Sequence, residues 1–403
     1  MAANTPPPGE LDPASSAPFG GSPPGTTSPG AGARRKSGRK AMSTMTIVGI
    51  VAVIAILVGS ATAYELLTSK APGNPCAAFT PQQLGADPTA GQVSGNTTPN
   101  YAIATTLTNG PLQTVPNGTT IQVVAGENFW GSLISQLGGN LTTVLSIVSD
   151  PNADPHDYEA NPADAAAIAH ANLVVVNGVG YDDWALQLIS SSDSAGQEVL
   201  NVGHLNGVYV TGGIVTGNEH QWYNPLYVNH TLLAMYYDLV ALQPESKAIF
   251  QHNFANLNTS AGAGGGVSID QLYARAHQIK EEFAGTAVVS TESIFVYLAN
   301  YTGLDLISPP EFMEAIAEGN DPPAASVALF ECQIEGGYVH VLVYNIQTVT
   351  PITTILEGLA GEHNVTSTYV SETIQPPDTS FQDWMYGEYN SLYNALNARQ
   401  LGM

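Results

Sequence analysis

The chain has 403 residues, enough for one large or two medium domains, and its hydrophobic fraction of 44% is ample for a packed core. It carries 34 acidic and only 10 basic side chains, which gives a net charge of −24 at pH 7. Because a body this acidic repels nucleic acid and attracts cations, a nucleic-acid-binding function is excluded.

Residues 1–44 are rich in Pro, Gly and Ser and end in a basic cluster between Arg34 and Lys40, so they are predicted to form a disordered tail. Residues 45–67 are largely apolar, carry no charge before Glu65, and are long enough to span a bilayer as a helix. The basic cluster places the tail in the cytoplasm. We therefore expect a single-pass cell-membrane protein with an extracellular body, the alternative being a cleaved signal peptide.

Residues 68–117 are dominated by Pro, Gly, Asn and Thr and are predicted to be a linker. This segment contains Cys76, and the second cysteine, Cys332, lies far away in sequence. No CxxC pair exists, which excludes a cysteine zinc knuckle and a thioredoxin-type redox site. The spacing leaves open whether the two cysteines form one disulfide bond or stay free.

From residue 118 onward, short β-branched runs alternate with longer amphipathic segments, which indicates an α/β fold with parallel sheets covered by helices on both faces. The predicted strands are Ile121–Ala125, Leu141–Val148, Leu173–Val176, Val199–Val202, Ala287–Ser290, Leu304–Ile307, Tyr338–Tyr344 and Ser367–Val370. A long helical region separates the two groups of strands. We therefore predict two lobes, 118–243 and 285–403, joined by a connecting helical region at 244–284.

Ligands of open α/β sheets bind outside the carboxyl ends of the strands, so the residues that follow each strand are the candidates for a site. His156 and His220 lie in loops of the first lobe, while Glu292 and Glu372 follow strands of the second. Two imidazoles and two carboxylates form a mixed nitrogen and oxygen set that suits Mn²⁺, Fe²⁺ or Zn²⁺. Taken singly, each of these side chains is more commonly a solvated or capping residue. The sequence motifs around them therefore decide whether they are candidate metal ligands.

Those sequence motifs resemble the motifs of the zinc and manganese ABC-transporter substrate-binding proteins. They are Asp154–Glu159 followed by Asn172–Gly178, then Glu219–Pro225, then Ser290–Leu298 with Tyr301–Leu304, and finally Ser371–Thr373. They occur in the family's order, and the resemblance covers about residues 119–400.

The resemblance implies a two-lobed extracellular receptor, linked by a long helix, that delivers metal to an ABC permease and its ATPase. His156 and His220 would bind the ion through nitrogen, and Glu292 and Glu372 through oxygen. One Mn²⁺ or Zn²⁺ ion per chain would be the transported ligand. At the position of Glu292 the family has either His or Glu. The glutamate favours Mn²⁺ as the bound ion, whereas the intrinsic affinity of such sites favours Zn²⁺. No catalytic site is expected.

The sequence departs from the family pattern at two places. Asn224 stands where an aspartate usually follows the Trp, which puts in question the polar contacts that orient His220. The run Ala261–Gly266 interrupts the linking helix. Three alternative functions stay open at this point: a dedicated zinc receptor, a surface adhesin whose metal stabilises the fold, and a metalloenzyme.

Overall fold

The structure is a computed structural model. It describes residues 75–84, 105–108 and 110–398, with gaps at 153, 193, 209, 212–213, 216 and 261–265. The predicted tail at 1–44 and the predicted membrane helix at 45–67 lie outside the described residues. Within the part of the chain that is described, no helix is both long and apolar enough to cross a membrane.

Residues 75–84 comprise a 3-10 turn, Pro75–Ala78, and a short helix α1, Pro81–Leu84. This segment lies in the range whose composition predicts a linker, but it is attached to the second lobe. Cys76 forms a disulfide bond with Cys332, and the Gln333 side chain donates a hydrogen bond to the Gln83 carbonyl (3.2 Å). Of the two arrangements left open for the cysteines, the structure has the disulfide.

The first lobe is built on a five-stranded sheet of order β1-β5-β4-β2-β3. Its strands are β1 (Thr105–Leu107), β2 (Ile121–Glu127), β3 (Thr142–Val148), β4 (Leu173–Val176) and β5 (Glu198–Asn201). All pairings are parallel except that of β1, which adds an antiparallel edge to β5. The prediction of a parallel sheet is therefore right for four strands and missed the short fifth one.

Helices cover both faces of this sheet. They are α2 (Asn128–Gly138), α3 (Pro162–His170), α4 (Asp183–Ser191), α5 (Val202–Asn206) and α6 (Pro225–Leu242). The burial on both faces follows from the strand sequence, because side chains alternate across a sheet. In β4, Leu173 and Val175 pack into one apolar cluster, whereas Val174 and Val176 pack into another on the opposite face.

The connecting region contains two helices, α7 (Lys247–Thr259) and α8 (Ile269–Phe283). Ser268 begins α8 with a capping box, in which its side chain and that of Gln271 each accept a hydrogen bond from the other's backbone N–H. The predicted interruption of the linking helix is therefore present. A small antiparallel pair, β6 (Val210–Thr211) with β7 (Ile214–Val215), precedes the connection.

The second lobe has a four-stranded, fully parallel sheet of order β11-β10-β8-β9. Its strands are β8 (Ala287–Ser290), β9 (Asp305–Leu306), β10 (Val341–Asn345) and β11 (Thr366–Val370). Its helices are α9 (Val296–Thr302), α10 (Pro310–Ala317), α11 (Ala324–Glu335), α12 (Pro351–Glu362) and α13 (Phe381–Ala398). The predicted two-lobed α/β architecture is confirmed for the described residues.

One apolar cluster joins the two lobes. It takes Val123 and Leu173 from the first sheet and Val341 and Val343 from the second. The C-terminal helix α13 also contacts the first lobe, since the Gln136 and Gln382 amides exchange hydrogen bonds of 3.1 and 2.7 Å. The carboxyl ends of β8 and β11 in the second sheet precede Glu292 and Glu372, and that of β3 in the first sheet precedes the segment of His156.

Candidate metal centre

His156 lies in the 3-10 turn Pro155–Asp157, in the segment that follows β3. The turn forms here because Pro155 has a suitable φ for the first helical position and the Asp154 carboxylate caps it, accepting a hydrogen bond from the His156 backbone N–H (3.0 Å). The imidazole ring meets the Tyr181 ring edge-on, with 5.0 Å between centroids. His156 is thereby held with its Nε2 atom towards the second lobe.

His220 lies just before the turn Gln221–Tyr223 and is fully buried. Its Nδ1 atom is 2.9 Å from Asn218 Oδ1, which also accepts a hydrogen bond from the His220 backbone N–H (2.7 Å). The Asn218 amide nitrogen donates to the Ser293 carbonyl (2.9 Å), which fixes the orientation of the amide. Because an amide oxygen only accepts, Nδ1 carries a proton, and Nε2 is the nitrogen that faces the centre and can bind a metal ion.

Glu292 follows β8 in the second lobe, and both it and Glu372 are fully buried. The Oε2 atom of Glu292 accepts hydrogen bonds from the Asn345 amide (2.6 Å) and the Thr348 hydroxyl (2.5 Å). These two donors leave Glu292 Oε1 facing His220 Nε2 at 3.6 Å.

Glu372 follows β11, at the same edge of the second sheet. Its Oε2 atom accepts a hydrogen bond from the Tyr181 hydroxyl of the first lobe (2.9 Å), and its Oε1 atom accepts one from the Asn345 amide (2.8 Å). Oε1 is also 3.3 Å from His220 Nε2 and 3.9 Å from His156 Nε2. Asn345 therefore holds both carboxylates at once, from the end of the strand between them.

The structure brings together all four residues that the sequence predicts, two from each lobe. One donor atom from each of His156, His220, Glu292 and Glu372 lies within 4.8 Å of the others. Three atoms that face this centre, Nε2 of both histidines and Oε1 of Glu292, are buried and have no hydrogen-bond partner among the described residues. Buried polar atoms without partners are costly, so this arrangement calls for a cation between them.

The electrostatics of the group favour a positive charge at its centre. Burial opposes the charged form of His156, but the Glu372 carboxylate outweighs it and raises the pKa of His156 to about 10. Burial, followed by the negative charge of Glu372, raises the pKa of Glu292 to about 7. Burial also disfavours the charged form of Glu372, but His220 and His156 together hold its pKa well below the usual range.

Sequence reasoning missed three residues that position the donor atoms: Asn218, Asn345 and Tyr181. The departure from the family pattern at Asn224 put the contacts that orient His220 in question, and the described side-chain contact to His220 Nδ1 comes from Asn218. The Asn224 side chain instead accepts a hydrogen bond from the Leu226 backbone N–H (3.0 Å) and caps α6. Asn345 ends β10, so the rule that directs attention to strand ends could have found it, whereas nothing in the sequence marks Tyr181.

A family profile described as periplasmic zinc-uptake complex component A, ZnuA, matches residues 123–395, which is more than half of the chain and includes the four residues. The protein belongs to the ZnuA family. Members of this family are substrate-binding proteins and not enzymes. The resemblance seen in the motif strings is therefore confirmed.

Individual relatives of this ZnuA-family chain are distant. The manganese-binding lipoprotein MntA of Halalkalibacterium halodurans is 26% identical over 141 residues, which cover 35% of this chain and 46% of that protein. The iron-binding protein YfeA of Yersinia pestis is 25% identical over 203 residues, covering 48% and 60%. The chain spans less than two thirds of the length of the curated relatives it matches, between 46% and 63%.

Solved structures share the fold of this ZnuA-family protein. A crystal structure of ZnuA gives a TM-score of 0.55 at 17% identity, with 68% of this chain and 99% of that chain covered. A Cd-bound periplasmic metal-binding protein from Candidatus Liberibacter asiaticus also gives 0.55, at 16% identity, with 69% and 100% covered. The two-lobed architecture is therefore that of periplasmic metal-binding proteins.

Proposed function

We propose that this chain is the extracellular receptor of an ABC importer and that it captures one divalent transition-metal ion between its two lobes. His156, His220, Glu292 and Glu372 are the proposed ligands. The ion is cargo that the receptor passes on to a permease driven by an ATPase. The predicted helix at 45–67 would anchor the receptor in the cell membrane with the tail at 1–44 in the cytoplasm.

One observation carries this proposal. The two imidazole Nε2 atoms and the Glu292 Oε1 atom are buried, face one another across the lobes, and lack hydrogen-bond partners among the described residues. Other polar atoms of the same side chains are satisfied by Asn218, Asn345 and Thr348. His220 and Glu292 thus have hydrogen-bond partners for their outer polar atoms but not for the atoms that face the centre, an arrangement organised for an ion.

The donor set fits a borderline or hard transition metal. Two imidazole nitrogens with two carboxylates suit Mn²⁺, Fe²⁺ and Zn²⁺, and the second carboxylate in place of a third histidine favours Mn²⁺. Distant relatives include a manganese-binding lipoprotein and an iron-binding protein. We propose Mn²⁺ as the cargo, with Zn²⁺ as the competing assignment.

Burial of the site suggests the route of exchange. The side chain of His156 is 22% exposed, whereas those of His220, Glu292 and Glu372 are not exposed at all. An ion would therefore enter and leave past His156, with the other ligands staying covered. Release on a scale of seconds to minutes would support transport, whereas an ion that never exchanges would support the alternative of an adhesin with a structural metal.

The test is metal-dependent stability of the purified full-length chain. The thermal midpoint is recorded after chelation and then with Mn²⁺, Zn²⁺, Fe²⁺, Ca²⁺ or Mg²⁺. A ligand at about 1,000 times its Kd adds roughly 4 kcal/mol of stability, so specific binding gives a clear shift. Metal analysis after desalting should find one ion per chain.

Two variants make the test specific. His156→Ala removes a proposed ligand and should abolish the shift, while His170→Ala removes an exposed histidine at the end of α3 and should preserve it. If no transition metal shifts the wild-type midpoint, the receptor assignment is wrong. If both variants respond like the wild type, the ion binds elsewhere.

A further inference from the structure

A buried polar cluster lies beside the metal centre and connects the two lobes. It consists of Tyr223, Ser371, Trp384 and Glu388, all at most 3% exposed. Tyr223 belongs to the first lobe and follows His220 by three residues, and Ser371 belongs to the second lobe and directly precedes Glu372. The cluster therefore joins the two segments that carry proposed ligands.

The contacts of this cluster are dense. The Tyr223 hydroxyl lies 3.0 Å from the Ser371 carbonyl oxygen, accepts a hydrogen bond from the Ser371 backbone N–H (3.2 Å), and lies 2.5 Å from Glu388 Oε2. On its other oxygen, Glu388 accepts hydrogen bonds from the Ser371 hydroxyl (2.8 Å) and the Trp384 indole N–H (2.8 Å). Glu388, on α13, is thus the residue that both ligand-bearing segments share.

We propose that Glu388 is a positioning residue that holds the segments of His220 and Glu372 at the spacing required by the metal ion, acting through Tyr223 and Ser371. This inference rests on the proposed function. Glu388 does not touch the four proposed ligands, so it would control affinity and the rate of release and would not contribute a ligand atom.

The number of hydrogens available for these contacts indicates the protonation state of Glu388. The Tyr223 hydroxyl has one proton, yet it faces two acceptors, the Ser371 carbonyl oxygen and Glu388 Oε2. Both contacts are satisfied if Glu388 is neutral and donates from Oε2 to Tyr223, which in turn donates to Ser371. Burial raises the pKa of Glu388 to about 8 although the Tyr223 and Ser371 contacts oppose it, which agrees with a neutral carboxyl at pH 7.

The experiment measures Kd and the dissociation rate for Mn²⁺ and Zn²⁺ on the full-length chain, with a fluorescent chelator as competitor. Glu388→Ala and Tyr223→Phe should each raise Kd about ten-fold or more, chiefly through faster dissociation. Glu388→Gln keeps a neutral donor and an acceptor and should stay within about two-fold of the wild type. Should Glu388→Ala fail to fold, Tyr223→Phe removes the contact to Glu388, together with the two contacts to the Ser371 backbone, without creating a cavity of that size.

Tyr393→Phe is the matched control, because Tyr393 also donates to a glutamate, Glu282 (2.9 Å), but on an exposed part of the same helix. It should leave Kd and the dissociation rate unchanged. The proposal is overturned if Tyr223→Phe lowers the thermal midpoint yet binds and releases metal like the wild type, or if Glu388→Gln is as impaired as Glu388→Ala. A wild type that binds neither ion would instead overturn the proposed function.

Discussion

His220 Nδ1 and Asn218 Oδ1 lie 2.9 Å apart, and this contact sets which nitrogen of the imidazole can bind a metal ion. A neighbouring acceptor that takes the Nδ1 proton fixes the tautomer and the ring plane. The amide is itself fixed, because its nitrogen donates to the Ser293 carbonyl of the other lobe (2.9 Å). The orientation of one first-lobe ligand therefore depends on the backbone of the second lobe.

Asn218→Ala should weaken metal binding by about 10- to 100-fold, the usual cost of removing a hydrogen-bond partner from a metal-ligating histidine. Titration calorimetry with Mn²⁺ and Zn²⁺ measures the change. Asn224→Ala is the control, since it removes only the cap of α6 and should cost about 1 kcal/mol of stability with Kd unchanged. If Asn224→Ala weakens binding more than Asn218→Ala, the assignment of these two residues is reversed.

Asn345→Ala should destabilise the metal-free protein more than the metal-bound protein. The amide nitrogen donates to Glu292 (2.6 Å) and to Glu372 (2.8 Å), and its loss leaves two buried carboxylates facing each other, at a cost of about 1–3 kcal/mol. A bound cation would stabilise the two carboxylates in place of the lost N–H donors. The metal-induced rise in thermal midpoint should therefore be larger in the variant than in the wild type.

The control for that comparison is Asn256→Ala, because Asn256 is exposed on α7 and its side-chain amide lies 2.9 Å from His252, away from the metal centre. Its thermal midpoint should hardly change, with or without metal. An equal fall in both forms of Asn345→Ala would mean that the amide supports the fold and not the charge balance of the site.

The architecture was predicted well from the sequence because buried strands have a recognisable run of β-branched and other apolar residues. Leu173–Val176 and Ala287–Ser290 occur with the predicted bounds, and the other predicted strands differ by at most three residues at either end. A strand at the edge of a sheet pairs on one side only and has a weaker pattern of apolar residues. β1, at Thr105–Leu107, lies in a segment of linker-like composition, and it is ordered by pairing with β5, which no local signal shows.

The four clustered residues could be selected from the sequence and most of the residues that support them could not, for a physical reason. A ligand is marked by its residue type in a loop or at a strand end and by the motif around it, whereas a supporting contact depends on which segments the fold brings together. Tyr181 reaches Glu372 across 191 positions of sequence. Glu388 reaches Tyr223 across 165. Contacts between residues so far apart in sequence can be identified only from the folded structure, in which the two lobes are packed together.

Glu198 should make the protein less stable as pH rises. Burial in β5, followed by the negative charge of Asp238, raises the pKa of Glu198 to about 8. A carboxyl with a raised pKa stabilises the fold fully below its unfolded pKa of about 4.3, and this contribution is lost as pH rises towards 8, by about 1.4 kcal/mol per unit. Glu198→Gln should therefore raise stability at pH 8 and change it little at pH 4.5.

Urea unfolding of the metal-free chain at the two pH values measures this difference. Glu282→Gln is the control, because hydrogen bonds from Gln278 and Tyr393 lower the pKa of this exposed carboxyl. It should give no gain at pH 8. If Glu198→Gln brings the same change in stability at both pH values, its effect is one of packing and not of ionisation.

Loss of the Cys76–Cys332 disulfide should lower stability without changing metal affinity. The bond closes a loop of 256 residues and ties residues 75–84 to α11, which carries none of the proposed ligands. Removing a native disulfide typically costs about 2–5 kcal/mol. Cys76→Ser with Cys332→Ser should therefore lower the urea midpoint, while the Kd for Mn²⁺ stays within about two-fold of the wild type.

Thiol titration of the denatured wild type checks the premise: no thiol should react before reduction, and two should react after it. Reactive thiols in the unreduced chain would show that the bond is absent, and a weakened Kd in the double variant would show that the tether reaches the metal centre. Because disulfides persist mainly in oxidising compartments, an intact bond in protein isolated directly from cells would also favour the proposed extracellular position of the lobes.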